Sequence, residues 1–189
     1  MKTCFTLFCS FALSFVSTIA CGQKTLISVG GNVVAPTAFG IKRVAGTGFG
    51  GSLRLETSFG KHTYGMATVE YLKFAEKTSF QQTTKFTAVP IQIGIKYYAA
   101  TKEEKVAKGL FVSGEVGIMP STTHFTYTSG NKNKFKESGL SVAPGLGYQL
   151  GRVEASFRPQ FNLSASGFNV YYLNFRLAYT ILKKKKNRT

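Results

Sequence analysis

Few side chains in this 189-residue sequence could do acid–base, nucleophilic or metal chemistry, and their spacing suits none of these well. The eight acidic residues are all glutamates, and the two histidines, His62 and His124, lie far apart. A hydrolytic triad would need His124, a serine such as Ser121 or Ser129, and Glu137, but no nucleophile elbow surrounds either serine. Cys4 and Cys9 fall inside an N-terminal leader, leaving Cys21 as the last thiol, so neither a disulfide framework nor a cysteine metal site is expected. The reading is a protein that is not an enzyme, with no catalytic residue, no metal and no cofactor.

Charge is the more informative chemistry. The formal net charge is +16, or +15 once Lys2 leaves with the leader. Arg54, Lys96, Arg158 and Arg176 share a sequence phase with Glu56, Glu70, Glu115 and Glu154, so four bases can meet four acids. Grouped inside a fold they would form a neutral ion-pair network, whereas unpaired they would be costly to bury. The positive excess then falls in connecting segments, at Lys42, Arg43, Lys77, Lys85, Lys132, Lys134 and Lys136, with Glu76 and Glu137 opposing. These read either as an anion-binding surface for lipopolysaccharide phosphates or other anionic surface polymers, or as lysines that keep loops soluble. Phe125, Tyr127 and Phe135 among them suit a contact surface or a cross-strand pairing. The lysines at 183–186 with Arg188 read as a solvated basic tail or as a contact for periplasmic-leaflet phosphates. Nucleic acid is not an expected partner, because the bases line no single stripe and the chain is exported.

The elements that must position these groups are strands. In the segment 170–181, Tyr171, Leu173, Phe175, Leu177, Tyr179 and Ile181 share one face, while Tyr172, Asn174, Arg176, Ala178 and Thr180 share the other. Similar alternation over 27–34, 49–58, 67–72, 89–98, 110–118, 140–149 and 153–161 makes about eight strands. Long connections at 36–47, 75–85 and 121–138 alternate with tight turns at 60–63 and 150–152, and only 100–108 breaks that parity. The 121–138 connection reads as a hairpin turning at Gly130-Asn131.

Residue volume decides which face points inward. The polar phase is rich in small residues, as at Ser141, Ala143, Gly145 and Gly147, which a narrow eight-stranded lumen can use to admit longer neighbours. The apolar phase is too bulky for that lumen and belongs outside, against lipid. Aromatic rims are expected from Phe59, Tyr64, Tyr97, Tyr148 and Tyr179 at the periplasmic end, and from Phe74, Phe86, Phe161 and Tyr171 at the outer end.

Residues 1–22 read as a signal peptide, with Lys2 as the n-region and an apolar run from Phe5 to Ile19 too short to span. Thr18-Ile19-Ala20-Cys21 also resembles a lipoprotein box, in which case the leader ends at 20 and Cys21 is lipidated. The barrel then occupies 23–182 and the basic tail 183–189.

The segments 89–98, 109–117 and 140–150, with the closing strand, resemble the outer-membrane β-barrel domain family of small Gram-negative barrels, of the OmpA and OmpX type, over about residues 25–182. That resemblance implies an all-β, eight-stranded antiparallel up-and-down transmembrane β-barrel in the cell outer membrane, with outer-membrane lipid, lipopolysaccharide and the assembly machinery as partners. Members usually end on an aromatic residue; here Tyr179 and Ile181 hold that phase and a lysine run follows. The function expected is envelope integrity or surface interaction through basic extracellular loops. A small porin-like passive channel is the alternative, and a soluble, secreted, lipocalin-like ligand-binding barrel is the alternative of another class.

Overall fold

The computed structural model describes residues 25–37, 45–79, 82–99, 109–164 and 169–184. The signal segment with Cys21, the bases Lys42 and Arg43, the 100–108 connection and the tail beyond Lys184 lie outside them. The strands are β1 (Thr25–Pro36), β2 (Ala45–Ser58), β3 (Thr63–Ser79), β4 (Gln82–Ala88), β5 (Ile91–Tyr98), β6 (Gly109–Tyr127), β7 (Lys132–Leu150), β8 (Val153–Ser164) and β9 (Val170–Lys184).

Every pairing is antiparallel, and β1 pairs with both β2 and β9, so the sheet closes. β4 and β5 form one stave, since each lies between β3 and β6. The interruption falls at Val89-Pro90, where proline has no N–H to give. It is bridged on both sides: Val89 N donates to Pro120 O at 2.8 Å, and Glu70 N donates to Pro90 O at 3.0 Å. The barrel therefore has eight staves.

The two phases separate cleanly. Leu53, Ile95, Val112, Leu146 and Leu177 are 53–63% exposed on the outside, while Arg54, Lys96, Arg158 and Asn174 are 0% exposed within. An apolar band of that extent suits hydrocarbon, not water. A soluble ligand-binding barrel would need the opposite arrangement, so that alternative falls. The small residues of β7 have the expected use. A Cβ at Gly145 would lie 2.6 Å from Arg158 Cγ, and one at Gly147 would lie 2.4 Å from Phe111 Cζ.

The turns at 59–62 and 151–152 are tight, the first closed by Phe59 N to Thr63 O at 3.0 Å and the second using Gly151 at φ +61°. The 121–138 segment is a hairpin whose turn holds Gly130 at φ +84°. The 75–85 segment, expected as a long loop, is also a hairpin, because β3 runs to Ser79 and β4 starts at Gln82. Its β3 arm is exposed on both faces over residues 75–78, so no alternation marks that arm in the sequence. With the 121–138 hairpin it forms a four-stranded sheet, in the order β3-β4-β6-β7, that continues one side of the wall beyond the barrel.

Three expected rim aromatics are inside. Tyr64, Phe74 and Phe86 are buried, with Phe74 edge-on to Phe86 and to Tyr172 at centroid distances of 5.1 and 5.6 Å. Their strand parity is that of buried Glu70 and Gln92, and parity overrides the preference of aromatic rings for an interface. Phe59, Tyr97, Tyr148, Tyr179 and Phe161 are exposed on the outside.

One seam in the wall is weak. The β7–β8 register pairs Val142 with Phe161 and Leu146 with Phe157, which sets Pro144 opposite Pro159. Both rings occupy positions whose N–H would cross the seam, so two ladder bonds are missing and pairing lapses over residues 143–145. Hydrogen exchange in micelles should find the Leu146 and Phe157 amides opening faster than those of Ala143 and Glu115, which face each other across the intact β6–β7 ladder. Pro159→Ala would offer an N–H to the Pro144 carbonyl, restoring a bond of about 1 kcal/mol and slowing exchange beside it about fivefold. Equal protection of both seams in the native protein would contradict the assignment.

Candidate functional site

Two features could carry function: the charged lumen and the basic face of the extended sheet. In the lumen, six of the eight staves deliver charge. Arg54 and Glu56 come from β2, Glu70 from β3, Lys96 from β5, Glu115 from β6, Glu154 and Arg158 from β8, and Arg176 from β9. All eight are buried. They form one connected network. Lys96 Nζ reaches Glu56 at 3.0 Å and Glu154 at 2.6 Å; Arg54 bridges Glu154 at 3.0 Å and Glu115 at 2.9 Å. Arg158 joins Glu115, at 2.7 Å, to Glu70. Arg176 closes onto Glu154 at 2.8 Å. Glu154 thus takes hydrogen bonds from three cations.

Neutral groups of the same parity join the network. Arg54 Nε donates to Thr68 Oγ1, Arg176 donates to Ser52 and Ser28, and Asn174 Nδ2 donates to Glu70 at 3.0 Å. Lys96 Nζ also lies 4.1 Å from the Phe111 ring centroid, a cation–π contact. Charge alone does not pick out Ser28, Ser52, Thr68 and Asn174 in the sequence; the inward parity they share with Arg54 and Arg176 is the signal that finds them. Two apolar clusters flank the charges. Leu26, Tyr64, Tyr98 and Phe111 pack together toward the chain termini, and Leu72, Phe74, Phe86, Met119 and Tyr172 pack together toward the extended sheet.

On the extension, Lys132, Lys134 and Lys136 are exposed and alternate along β7 in the outward phase of Leu140, Val142 and Leu146. The register places Lys134 opposite His124, and His124 opposite Lys85 on its other side. Lys85 is held by Glu76 at 2.7 Å. A bulge after Lys73 shifts Lys77 into register with buried Thr84, so it leaves this face. The aromatic pair Phe125 and Phe135 meets edge-on at 5.6 Å on the opposite side of the sheet.

The triad does not assemble. Ser121 is buried and stands opposite Glu137, whereas His124, three residues along the same strand, is exposed on the other face. His62 lies in the β2–β3 turn, at the far end of the barrel from His124.

This architecture has solved counterparts. The attachment invasion locus protein Ail of Yersinia pestis superposes with a TM-score of 0.61, covering 84% of this chain and 97% of Ail at 12% identity. The fold is that of a small outer-membrane barrel. Ail in complex with the heparin analogue sucrose octasulfate gives a TM-score of 0.59, again at 12% identity with 84% and 97% coverage. Ail in a phospholipid bilayer nanodisc gives 0.50 at 13% identity, covering 85% of this chain and 99% of that one. No protein-family description matches the chain, and comparison with curated protein sequences gives no match.

Glu154→Ala would leave Arg54, Lys96 and Arg176 short of a buried counter-charge and should cost about 3–5 kcal/mol in urea unfolding followed by heat-modifiable gel migration. Lys85→Ala, which breaks an exposed pair, should cost less than about 1 kcal/mol in the same assay. Equal costs would mean that the lumen network does not govern stability.

Proposed function

We propose that this chain is a non-enzymatic outer-membrane protein, exported by its signal segment, whose barrel is a rigid anchor and whose basic sheet face binds anionic groups at the cell surface. The observation that carries the reading is the placement of Lys132, Lys134 and Lys136 on one face of β7, directly in line with the lipid-facing residues below them. Alternate residues of a strand stand about 7 Å apart, so three ammonium groups rise in a row from the edge of the apolar band. Among the described residues no carboxylate pairs with any of the three. Phosphates of lipopolysaccharide, or sulfates and carboxylates of anionic surface polymers, are the groups such a row attracts. Lys42 and Arg43, the other bases expected to bind anions, lie outside the described residues; contact with lipopolysaccharide would tie the barrel to envelope integrity. The closing strand, with Tyr179 and Ile181 outward, is the segment the assembly machinery would engage.

A passive channel has less support. The Leu26–Tyr64–Tyr98–Phe111 cluster at one end and the Phe74–Phe86–Tyr172 cluster at the other flank an ion-paired centre whose charges are almost wholly buried, as in a lumen filled by side chains. In planar bilayers the inserted protein should be silent, and steady single-channel steps would reinstate the channel.

Binding of the folded protein to immobilised lipopolysaccharide or heparin should weaken steeply between about 50 mM and about 500 mM salt, as screening shortens the reach of exposed charges. Replacing Lys132, Lys134 and Lys136 together by Gln should lower affinity at least about tenfold while leaving heat-modifiable migration unchanged. Salt-independent binding, or none, would sink the proposal.

A further inference from the structure

The outer wall of the barrel is not smooth. A hollow of about 470 Å³ runs across it over β6, β7, β8, β9 and β1. Spacings of about 4.8 Å between neighbouring strands make it roughly 19 Å long. The strand registers account for its shape. Leu110, Tyr148, Ala155, Leu177 and Gly31 form one cross-strand row of outward residues. The adjacent row holds Leu146, Phe157, Phe175 and Val33. Bulky side chains stand in both rows, but Ala155 and Gly31 leave gaps, and a Cβ at Gly31 would meet nothing within 4 Å. Gly147, Ser156 and Arg176 have inward parity and give the floor their backbone.

The hollow lies close to one margin of the apolar band. Two residues along β8 from Ala155, about 7 Å away, Val153 pairs with Tyr179. The β7–β8 turn follows directly, and there the exposed Arg152 donates from Nη1 to Tyr179 Oη at 3.3 Å. Thr180 N donates to Arg152 O at 2.8 Å and holds the turn against β9. An outward tyrosine at a strand end marks headgroup depth, so Arg152 stands where lipid phosphates lie and the hollow where their chains begin. The bond to Tyr179 uses one guanidinium N–H and leaves a fork of others to face an anion.

We propose that the hollow and Arg152 together hold one phospholipid, its phosphodiester on the guanidinium and one acyl chain along the wall. A chain already in hydrocarbon gains nothing from the hydrophobic effect by meeting protein, so selection must come from packing and charge. The concavity supplies the packing, because a chain within it is touched on its floor and on both sides. Arg152 supplies the charge. The surroundings also restrict the occupant: an apolar lining inside the hydrocarbon band suits neither sugars nor peptides, and a cation at its margin matches a headgroup phosphate. With the extended sheet at the cell surface, as proposed above, this margin faces the periplasmic leaflet. The inference takes only its leaflet from that reading, since the site uses none of the lysines on β7.

The test is native mass spectrometry of the folded full chain released from detergent micelles, with palmitoyl-oleoyl phosphatidylglycerol as the probe. The first lipid should bind at least about tenfold more tightly than later ones, which meet ordinary wall. Ala155→Phe and Gly31→Leu fill the hollow from positions that already point outward, and each should abolish that preference. Val116→Phe, on exposed wall away from the hollow, should leave it intact. Arg152→Gln should weaken the first lipid about fivefold, and a diacylglycerol with the same chains should bind the native protein about fivefold less tightly than the phospholipid. Heat-modifiable migration checks that each variant is folded. Equal affinity for first and later lipids, a preference that survives filling of the hollow, an equal loss in Val116→Phe, indifference to Arg152→Gln, or a protein dimer in place of bound lipid would overturn the inference. Replacing Lys132, Lys134 and Lys136 by Gln should leave lipid binding unchanged. Failure to bind lipopolysaccharide or heparin would therefore refute the surface reading alone.

Discussion

A closed eight-stave lumen gives a buried charge nowhere to go but another buried charge. Four cations and four glutamates occupy it, and each finds its counter-ion on a different stave, so the network fixes the staves relative to one another. Glu154, with three cationic donors, is where the strands β2, β5, β8 and β9 are drawn together. The rest of the interior is arranged around this requirement. β7 contributes no charge and supplies small residues instead, because Arg158 and Phe111 need the space. Thr68, Ser52 and Ser28, of the same parity, take up N–H groups of Arg54 and Arg176, and apolar clusters flank the ion pairs.

That arrangement divides the labour. The interior stabilises, the outer band meets hydrocarbon, and the sheet that continues beyond the barrel offers the exposed row of lysines. Its chemistry differs from that of the lumen: there the charges balance, whereas on the outward face of β7 three lysines stand in a row. Binding at such a surface can change without disturbing the core, since no lumen ion pair reaches it.

Period-two alternation made most of the barrel legible in the sequence. The segment 170–181 showed both faces, and the small residues at 141, 143, 145 and 147 showed which was inside. The grouping of Arg54, Lys96, Arg158 and Arg176 with four glutamates followed from parity alone, but their partners did not, because partnership depends on register between strands distant in sequence. Tyr64, Phe74 and Phe86 were misplaced when the attraction of aromatic rings to interfaces was weighed above their parity. The 75–85 hairpin was hidden for a different reason: residues 75–78 are solvated on both faces and give no alternation to read. The confrontation of Pro144 with Pro159 is a property of hydrogen-bond phase. That phase leaves no trace in composition and becomes visible only once a turn fixes it.

The pairing of Thr25 with Lys184 closes the wall and also makes the two ends of the described chain cross-strand neighbours. A short peptide linker between them would turn the polypeptide into a ring, and that ring could be cut at any connection whose strands stay paired. The 128–131 turn is one such place, four residues joining two long strands already zipped along their length. Circular permutation there would exchange which strand is made first and which closes the barrel, while every ion pair of the lumen kept its geometry. The stave that happens to be last is thus a matter of chain order rather than of the barrel's physics.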